Sequence, residues 1–194
     1  MKTEAFMRRF GKFVNSLSGK YITAEDVNMK TADMEFISME TKHVTGLPES
    51  MGGGGDPSPV TAYGTFVGMK AAAKRVFGSD SLANKKVVVQ GVGQVGMNLV
   101  EHLAKENAQV YITDISDEKV KALAQKFGVK AVPMDAVYDL DVDIYAPCAL
   151  GATLNDNTIP RLKCSIIAGA ANNQLKDEVK HGYMLIDRGI TYAP

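Results

Sequence analysis

The stretch Val87-Val88-Val89-Gln90-Gly91-Val92-Gly93-Gln94-Val95-Gly96 constrains this chain more than any other. Three consecutive β-branched valines read as a short strand buried on both faces, as in a parallel sheet. A G-x-G-x-x-G triplet follows at once, and Val95, Leu99, Val100 and Leu103 then recur on one face of a helix. Each glycine meets a physical demand. Gly91 permits a tight turn out of the strand, Gly93 lets backbone approach a pyrophosphate, and Gly96 lets the helix pack closely on the strand. Free N–H groups and the dipole at the helix N-terminus, around Gln94 and Val95, favour phosphate.

A glycine triplet alone is a weak signal, so its surroundings decide. Val110-Tyr111-Ile112-Thr113 reads as a second strand ending at Asp114, 18 residues after Gly96. An acid at about 20 residues accepts from the adenosine ribose hydroxyls of a dinucleotide. It would also repel a 2′-phosphate, and Ile115, Ser116 and Asp117 offer no compensating arginine. The expected cofactor is therefore NAD rather than NADP. The plainer alternative is that Asp114 only opens a loop.

Composition bounds the rest. A chain of 194 residues, 45% hydrophobic, fits one domain and a fragment of another. The formal net charge of zero leaves no electrostatic footprint for nucleic acid or an anionic membrane. No apolar run approaches the ~18 residues of a transmembrane helix. Met1-Lys2-Thr3-Glu4 carries an acid and no apolar signal core, so the expected location is cytoplasmic. Cys148 and Cys164 form no disulfide pattern, and His43, His102 and His181 lack metal-motif spacing, so no metal site is expected.

Along the chain, residues Lys2 to Leu17 read as a helix with Phe6, Phe10, Phe13 and Val14 on one face. Tyr21-Ile22-Thr23 reads as a short strand before the acidic pair Glu25-Asp26, and Thr31 can cap a second helix through Met34, Phe36 and Ile37. The loop from His43 to Pro59 contains Gly52-Gly53-Gly54-Gly55, expected to be the most flexible backbone and either a linker or a hinge. A helix from Ser58 to Phe77 follows. From Lys86 onward strands and helices alternate, with further strands at Ala131-Val132, Val142 to Tyr145, Cys164 to Ala168 and Ile190 to Tyr192, and a helix capped by Ser116. This predicts an α/β fold: a Rossmann-type doubly wound parallel sheet preceded by a fragment of a second α/β domain. Ligands of such sheets sit at the carboxyl ends of the strands, which gathers Gly91 to Gly96, Asp114, Ala146 to Leu150 and Gly169 to Asn173 on one edge.

Several stretches together resemble the glutamate, leucine, phenylalanine and valine dehydrogenase superfamily, most of all leucine dehydrogenase and its branched-chain relatives. They are Tyr21-Ile22-Thr23-Ala24-Glu25-Asp26-Val27, the turn Asp56 to Gly64, Gln90 to Gly96, Ala146-Pro147-Cys148-Ala149-Leu150-Gly151, and Ala168 to Leu175. The resemblance implies NAD-dependent oxidative deamination of a branched-chain L-amino acid to a 2-oxo acid and ammonia, with a full-length homo-oligomer. It implies that Asp26 is the catalytic aspartate, shuttling protons beside a lysine, and that Glu25 has no role. It places Thr61 at the nicotinamide amide and Ala149 and Asn173 at the nicotinamide ribose. The cofactor set also takes in Gly91, Gly93, Gln94, Val95, Gly96, Asp114, Ile115, Cys148, Leu150 and Ala170. Cys148 is expected to be a small buried side chain and not a nucleophile.

Residues 1–45 then correspond to the C-terminal part of the substrate domain, 46–60 to a hinge and 61–194 to the NAD-binding domain with its last elements cut short. The family's glycine-rich segment with the catalytic lysine has no counterpart here, so this polypeptide alone is expected to bind NAD without turnover. Two other readings stay open: an oxidoreductase of another Rossmann family, such as a shikimate- or folate-type dehydrogenase, and a non-catalytic NAD-binding module.

Overall fold

A computed structural model of the chain describes residues 2–26 and 28–194. Met1 of the N-terminal tetrapeptide and Val27, the end of the Tyr21 to Val27 motif, lie outside the described residues. Two compact units, Met1–Pro57 and Ser58–Pro194, divide the chain.

In the first unit the hydroxyl of Thr3 accepts from the Phe6 N–H and starts helix α1, Glu4–Ser16. This helix packs on α2, Thr31–Ser38. A methyl group on Gly11 would lie 2.7 Å from the Ile37 carbonyl oxygen, so the two backbones meet there. That contact selects the buried face. Met7 packs with Met34, Ile37 and Val44, and Gly11 and Val14 are buried on the same helix, whereas Phe6 and Phe13 are 60% and 61% exposed. Of the face expected from periodicity, Phe10 and Val14 do turn inward and Phe6 and Phe13 do not, because the stripe that can approach α2 is the one carrying glycine.

Helix α2 starts differently from the expectation too. Its cap is Lys30, whose N–H donates to Asp33 Oδ2 at 2.9 Å, while Thr31 is already helical and donates its hydroxyl to Glu25 at 3.4 Å. The strand expected at Tyr21 to Thr23 is a single parallel bridge, Thr23 to Val44, with Tyr21 and Ile22 exposed on a segment that nothing extends into a sheet among the described residues. The glycine run is not loose backbone. The N–H groups of Gly52, Gly53 and Gly55 donate to the carbonyls of Glu49, Pro48 and Leu47, closing a turn around the 3₁₀ segment Glu49–Met51.

The second unit is a six-stranded parallel sheet in the order β3-β2-β1-β4-β5-β6. Its strands are β1 (Lys86–Gln90), β2 (Gln109–Thr113), β3 (Lys130–Ala131), β4 (Ile144–Pro147), β5 (Ile166–Ala168) and β6 (Thr191–Ala193). Chain direction along the sheet reverses between β1 and β4, which is where doubly wound sheets open a crevice. Alternation through the sheet builds two cores. Val87 and Val89 pack with Leu99, Val100 and Leu103 of α4 (Gln94–Lys105), Met69 of α3 (Ser58–Phe77) and Leu123 of α5 (Asp117–Phe127). Val88, Tyr145 and Ile167 pack with Leu185 of α6 (Glu178–Asp187) on the opposite face.

Ser116 caps α5 as expected, accepting from the Lys119 N–H, and Gly128 ends it at φ 67°. β4 begins two residues later than read, because Asp143 is used at the start of β1: its carboxylate accepts from the Lys86 N–H at 2.8 Å. Helix α6, between β5 and β6, is an addition to the expected elements; Asp177 caps it, accepting from the Lys180 N–H.

Leu99 is fully buried and Phe13 is not, so Leu99→Ala is expected to lower the unfolding free energy by ~2–5 kcal/mol and Phe13→Ala to change it by less than ~0.5 kcal/mol. Urea unfolding followed by circular dichroism measures both.

Candidate functional site

The three glycines after β1 divide by what occupies the space of a side chain. At Gly91, φ is +95° and a Cβ would sit 2.7 Å from the Ala149 nitrogen. At Gly96 it would sit 1.9 Å from the Gly91 carbonyl oxygen. Both are demanded by the fold itself. At Gly93, the N-cap of α4 with φ −66°, nothing lies within 4 Å of a Cβ. The protein therefore leaves space over Gly93 that it does not use. Gln94 is exposed and Val95 half-buried on the helical turn that follows, and the free N–H groups of this turn face that space's end of the helix.

Asp114 follows the last residue of β2 and is half-buried. Its Oδ2 accepts from the Val92 N–H at 2.7 Å and its Oδ1 from the Ser116 N–H at 2.9 Å. The acid thus clamps the glycine loop to the start of α5, and each oxygen keeps a further lone pair for a hydroxyl donor. Ile115 beside it is 89% exposed.

The loops after β4 and β5 reach the same edge. The Cys148 N–H donates to Gln90 O at 2.7 Å, the Gly91 N–H to Thr113 O at 2.8 Å and the Ala171 N–H to Pro147 O at 2.9 Å. These bonds join the carboxyl ends of β1, β2, β4 and β5. Ala149, Leu150 and Asn173 are exposed there, Leu150 to 79%, and Ala170 is half-buried. Asn173 does form a turn, at φ 49°, and its carbonyl accepts from the Ala152 N–H at 2.7 Å. Thr61 is exposed on the first turn of α3, with its carbonyl accepting from the Thr65 hydroxyl.

A polar cluster missed in the sequence lies just behind the glycine loop. Gln90 donates to the Tyr138 hydroxyl at 3.0 Å and accepts from the Tyr145 hydroxyl, whose pKa burial holds well above the usual tyrosine value. A glutamine inside a valine strand was its only outward sign.

Asp26 lies in the first unit, exposed, its carbonyl accepting from the Met29 N–H. At its neighbour Glu25, expected to have no role, burial and then the Asp56 charge raise the carboxyl pKa. His181 is buried with Nδ1 accepting from the Asp177 N–H, and His102 stacks on Phe66 at 5.3 Å between ring centres. Burial pushes the Cys148 and Cys164 thiols up to about 11. Among the described residues no group of three metal-ligating side chains gathers, and no helix is long and apolar enough to cross a membrane.

Strand order, glycine loop and strand-end acid together define a Rossmann-type dinucleotide-binding fold. The family model described as shikimate / quinate 5-dehydrogenase matches residues 71–152, the stretch carrying the glycine loop. Similarity over the entire chain lies elsewhere. Leucine dehydrogenase of Thermoactinomyces intermedius is 54% identical over 193 residues, covering 100% of this chain and 52% of that protein. The crystal structure of L-tryptophan dehydrogenase from Nostoc punctiforme superposes with a TM-score of 0.79 at 45% identity, over 100% of this chain and 55% of that one. Hetero-hexameric glutamate dehydrogenase from Thermus thermophilus has the same TM-score of 0.79 at 22% identity, over 98% of this chain and 51% of that one, a likeness of fold. Along its whole length the chain is similar to amino-acid dehydrogenases named for leucine, L-tryptophan and phenylalanine. It spans about half the length of the curated relatives it matches.

The glycine geometry sets an expected contrast in stability. Gly96→Ala should cost ~2 kcal/mol or more by overpacking against Gly91, and Gly93→Ala less than ~1 kcal/mol; thermal unfolding of both variants checks this. With both thiols pushed up to about 11, only about 0.1% is thiolate at pH 8, so iodoacetamide should label neither cysteine appreciably within an hour, as read by mass spectrometry.

Proposed function

We propose that this chain is the NAD-binding part of an NAD-dependent amino-acid dehydrogenase, one that oxidatively deaminates a branched-chain L-amino acid such as leucine to the 2-oxo acid and ammonia. The observation that carries the cofactor reading is Gly93: it is the glycine of the loop whose missing side chain the fold does not need, at a helix N-terminus suited to a pyrophosphate. Asp114, with lone pairs to spare, suits the adenosine ribose, and the bare side chain of Ile115 beside it suits the apolar face of adenine. Ala149, Leu150, Ala170 and Asn173 would take the nicotinamide side, with Cys148 packed beneath and Thr61 at the amide.

Bound NAD would accept the hydride from the substrate's α-carbon. The chain's own residues hold it there: the α4 N-terminus neutralises the pyrophosphate, and Asp114 selects against a 2′-phosphate by charge. Asp26 is the carboxylate proposed to move protons to and from the amino group and water. The substrate class rests on relatives named as leucine, L-tryptophan and phenylalanine dehydrogenases, of which the leucine enzymes are 52–54% identical.

Calorimetric titration tests the cofactor. NAD is expected to bind more tightly than NADP, and equal or tighter NADP binding overturns the assignment. Gly93→Val should lose NAD binding while its melting temperature stays within a few degrees, because the new side chain meets ligand and not protein. The reaction is tested by replacing the matching half of the T. intermedius leucine dehydrogenase with this chain. Leucine-dependent NADH formation is expected, falling ~10²-fold or more in Asp26→Asn; formation that persists in Asp26→Asn removes that residue from the mechanism.

A further inference from the structure

The loops after β4 and β5 are fastened to each other by backbone bonds. The Ala152 N–H donates to Asn173 O at 2.7 Å, the Leu154 N–H to Gln174 O at 3.0 Å and the Lys176 N–H to Leu154 O at 3.0 Å. Both loops hold a non-glycine residue in the left-handed region: Ala152 at φ 62° and Asn173 at φ 49°. Alanine has no side-chain hydrogen bond to offset that conformation, so the surroundings must impose it.

What imposes it on the second loop is Gln174. This side chain is 3% exposed, and its Nε2 donates to Gly169 O at 2.9 Å, spanning the turn from the end of β5 to its own position. The bond fixes which end of the amide is which, and leaves Oε1 buried with no partner among the described residues. Thr153, one residue before the Leu154 to Leu175 bridge as Gln174 is on the other side, also has a buried side-chain oxygen, which lies against the Tyr145 hydroxyl. A leucine or methionine at position 174 would fill the same space without stranding an oxygen. It would also leave the Gly169 carbonyl unmet. The glutamine serves the turn and not the core.

We propose that Gln174 is a positioning residue for the nicotinamide side of the bound dinucleotide: its amide closes the turn 169–173 and its backbone carbonyl fastens that turn to the loop after β4, which fixes Ala149, Leu150, Ala170 and Asn173 relative to one another. This rests on the reading of the second unit as an NAD site. Gln174 itself makes no contact with the cofactor. Its effect is selective, because the adenosine side is held by Asp114 and the α4 N-terminus, on other loops.

The test compares NAD with ADP, which carries the adenosine and both phosphates but no nicotinamide ribose. Both are titrated calorimetrically against the unaltered chain, Gln174→Leu and Thr153→Val. Gln174→Leu should weaken NAD about tenfold, the scale of one aligned hydrogen bond, and leave ADP within about twofold. Thr153→Val, which removes a buried oxygen without touching the brace, should leave both ligands within about twofold. If Gln174→Leu weakens NAD and ADP by the same factor, or neither, the positioning role is wrong; so is it if Thr153→Val reproduces the selective loss. Gln174→Met, unbranched and of similar length, is read in the same way if Gln174→Leu does not fold. An unaltered chain that binds neither ligand overturns the NAD reading itself, an outcome distinct from bound ADP and NAD that ignore Gln174.

Discussion

The first turn of α4 lies closer to the end of β1 than any side chain would allow. A Cβ on Gly96 would fall 1.9 Å from the Gly91 carbonyl oxygen, and one on Gly91 would fall 2.7 Å from the Ala149 nitrogen. Helix start, strand exit and the loop after β4 therefore share one small volume that only backbone can fill. The bonds from Gly91 to Thr113 and from Cys148 to Gln90 then tie the neighbouring strands to the same point. Without this contact the sheet could still bury its valines, but α4 would stand off from the edge and its N-terminus would have no defined target. Gly93 is free of any such duty, and that contrast within six residues separates what the fold needs from what a ligand needs.

Most of this second unit was legible in the sequence because its signals are local. Three valines, a glycine triplet, an amphipathic helix and a serine cap each act within a turn or two of chain. What was not legible depends on partners distant in sequence. The buried face of α1 follows from Gly11 meeting Ile37, so Phe6 and Phe13, the most apolar signal in that helix, point outward. Tyr21 to Thr23 has strand composition but only Val44 to pair with. The glycine run looked mobile because glycine permits many conformations; carbonyls at residues 47–49 choose one. Within the candidate site, the glycines and Asp114 announce themselves, whereas Gln90 and Gln174 do not, since a glutamine reads as surface until its partners are known.

The proposed cofactor site thus has two halves built by different means. Its adenosine side comes from one continuous stretch, Gly91 to Ser116, a single strand-turn-helix-strand unit whose two ends meet where Asp114 accepts from Val92. Its nicotinamide side is assembled from segments separated in sequence, around Thr61, Ala149 and Asn173. The match to the shikimate / quinate 5-dehydrogenase model covers all of the first half and, of the second, only the loop after β4, while likeness to leucine dehydrogenases extends to Thr61 and Asn173 as well. A nucleotide half shared widely and a reacting half shared narrowly is what a fold that hosts many chemistries would produce.

Asp114 has a bearing on how such a chain could change its cofactor. On the proposed reading its charge excludes a 2′-phosphate, but the same two oxygens already receive the N–H groups of Val92 and Ser116. Discrimination and loop order are therefore one property and not two. An exchange of this acid for a neutral or basic residue would admit the extra phosphate and, in the same step, release the glycine loop and the cap of α5. A lineage, or an engineer, moving this protein toward NADP would have to supply a new acceptor for those two amides before the old one could be given up.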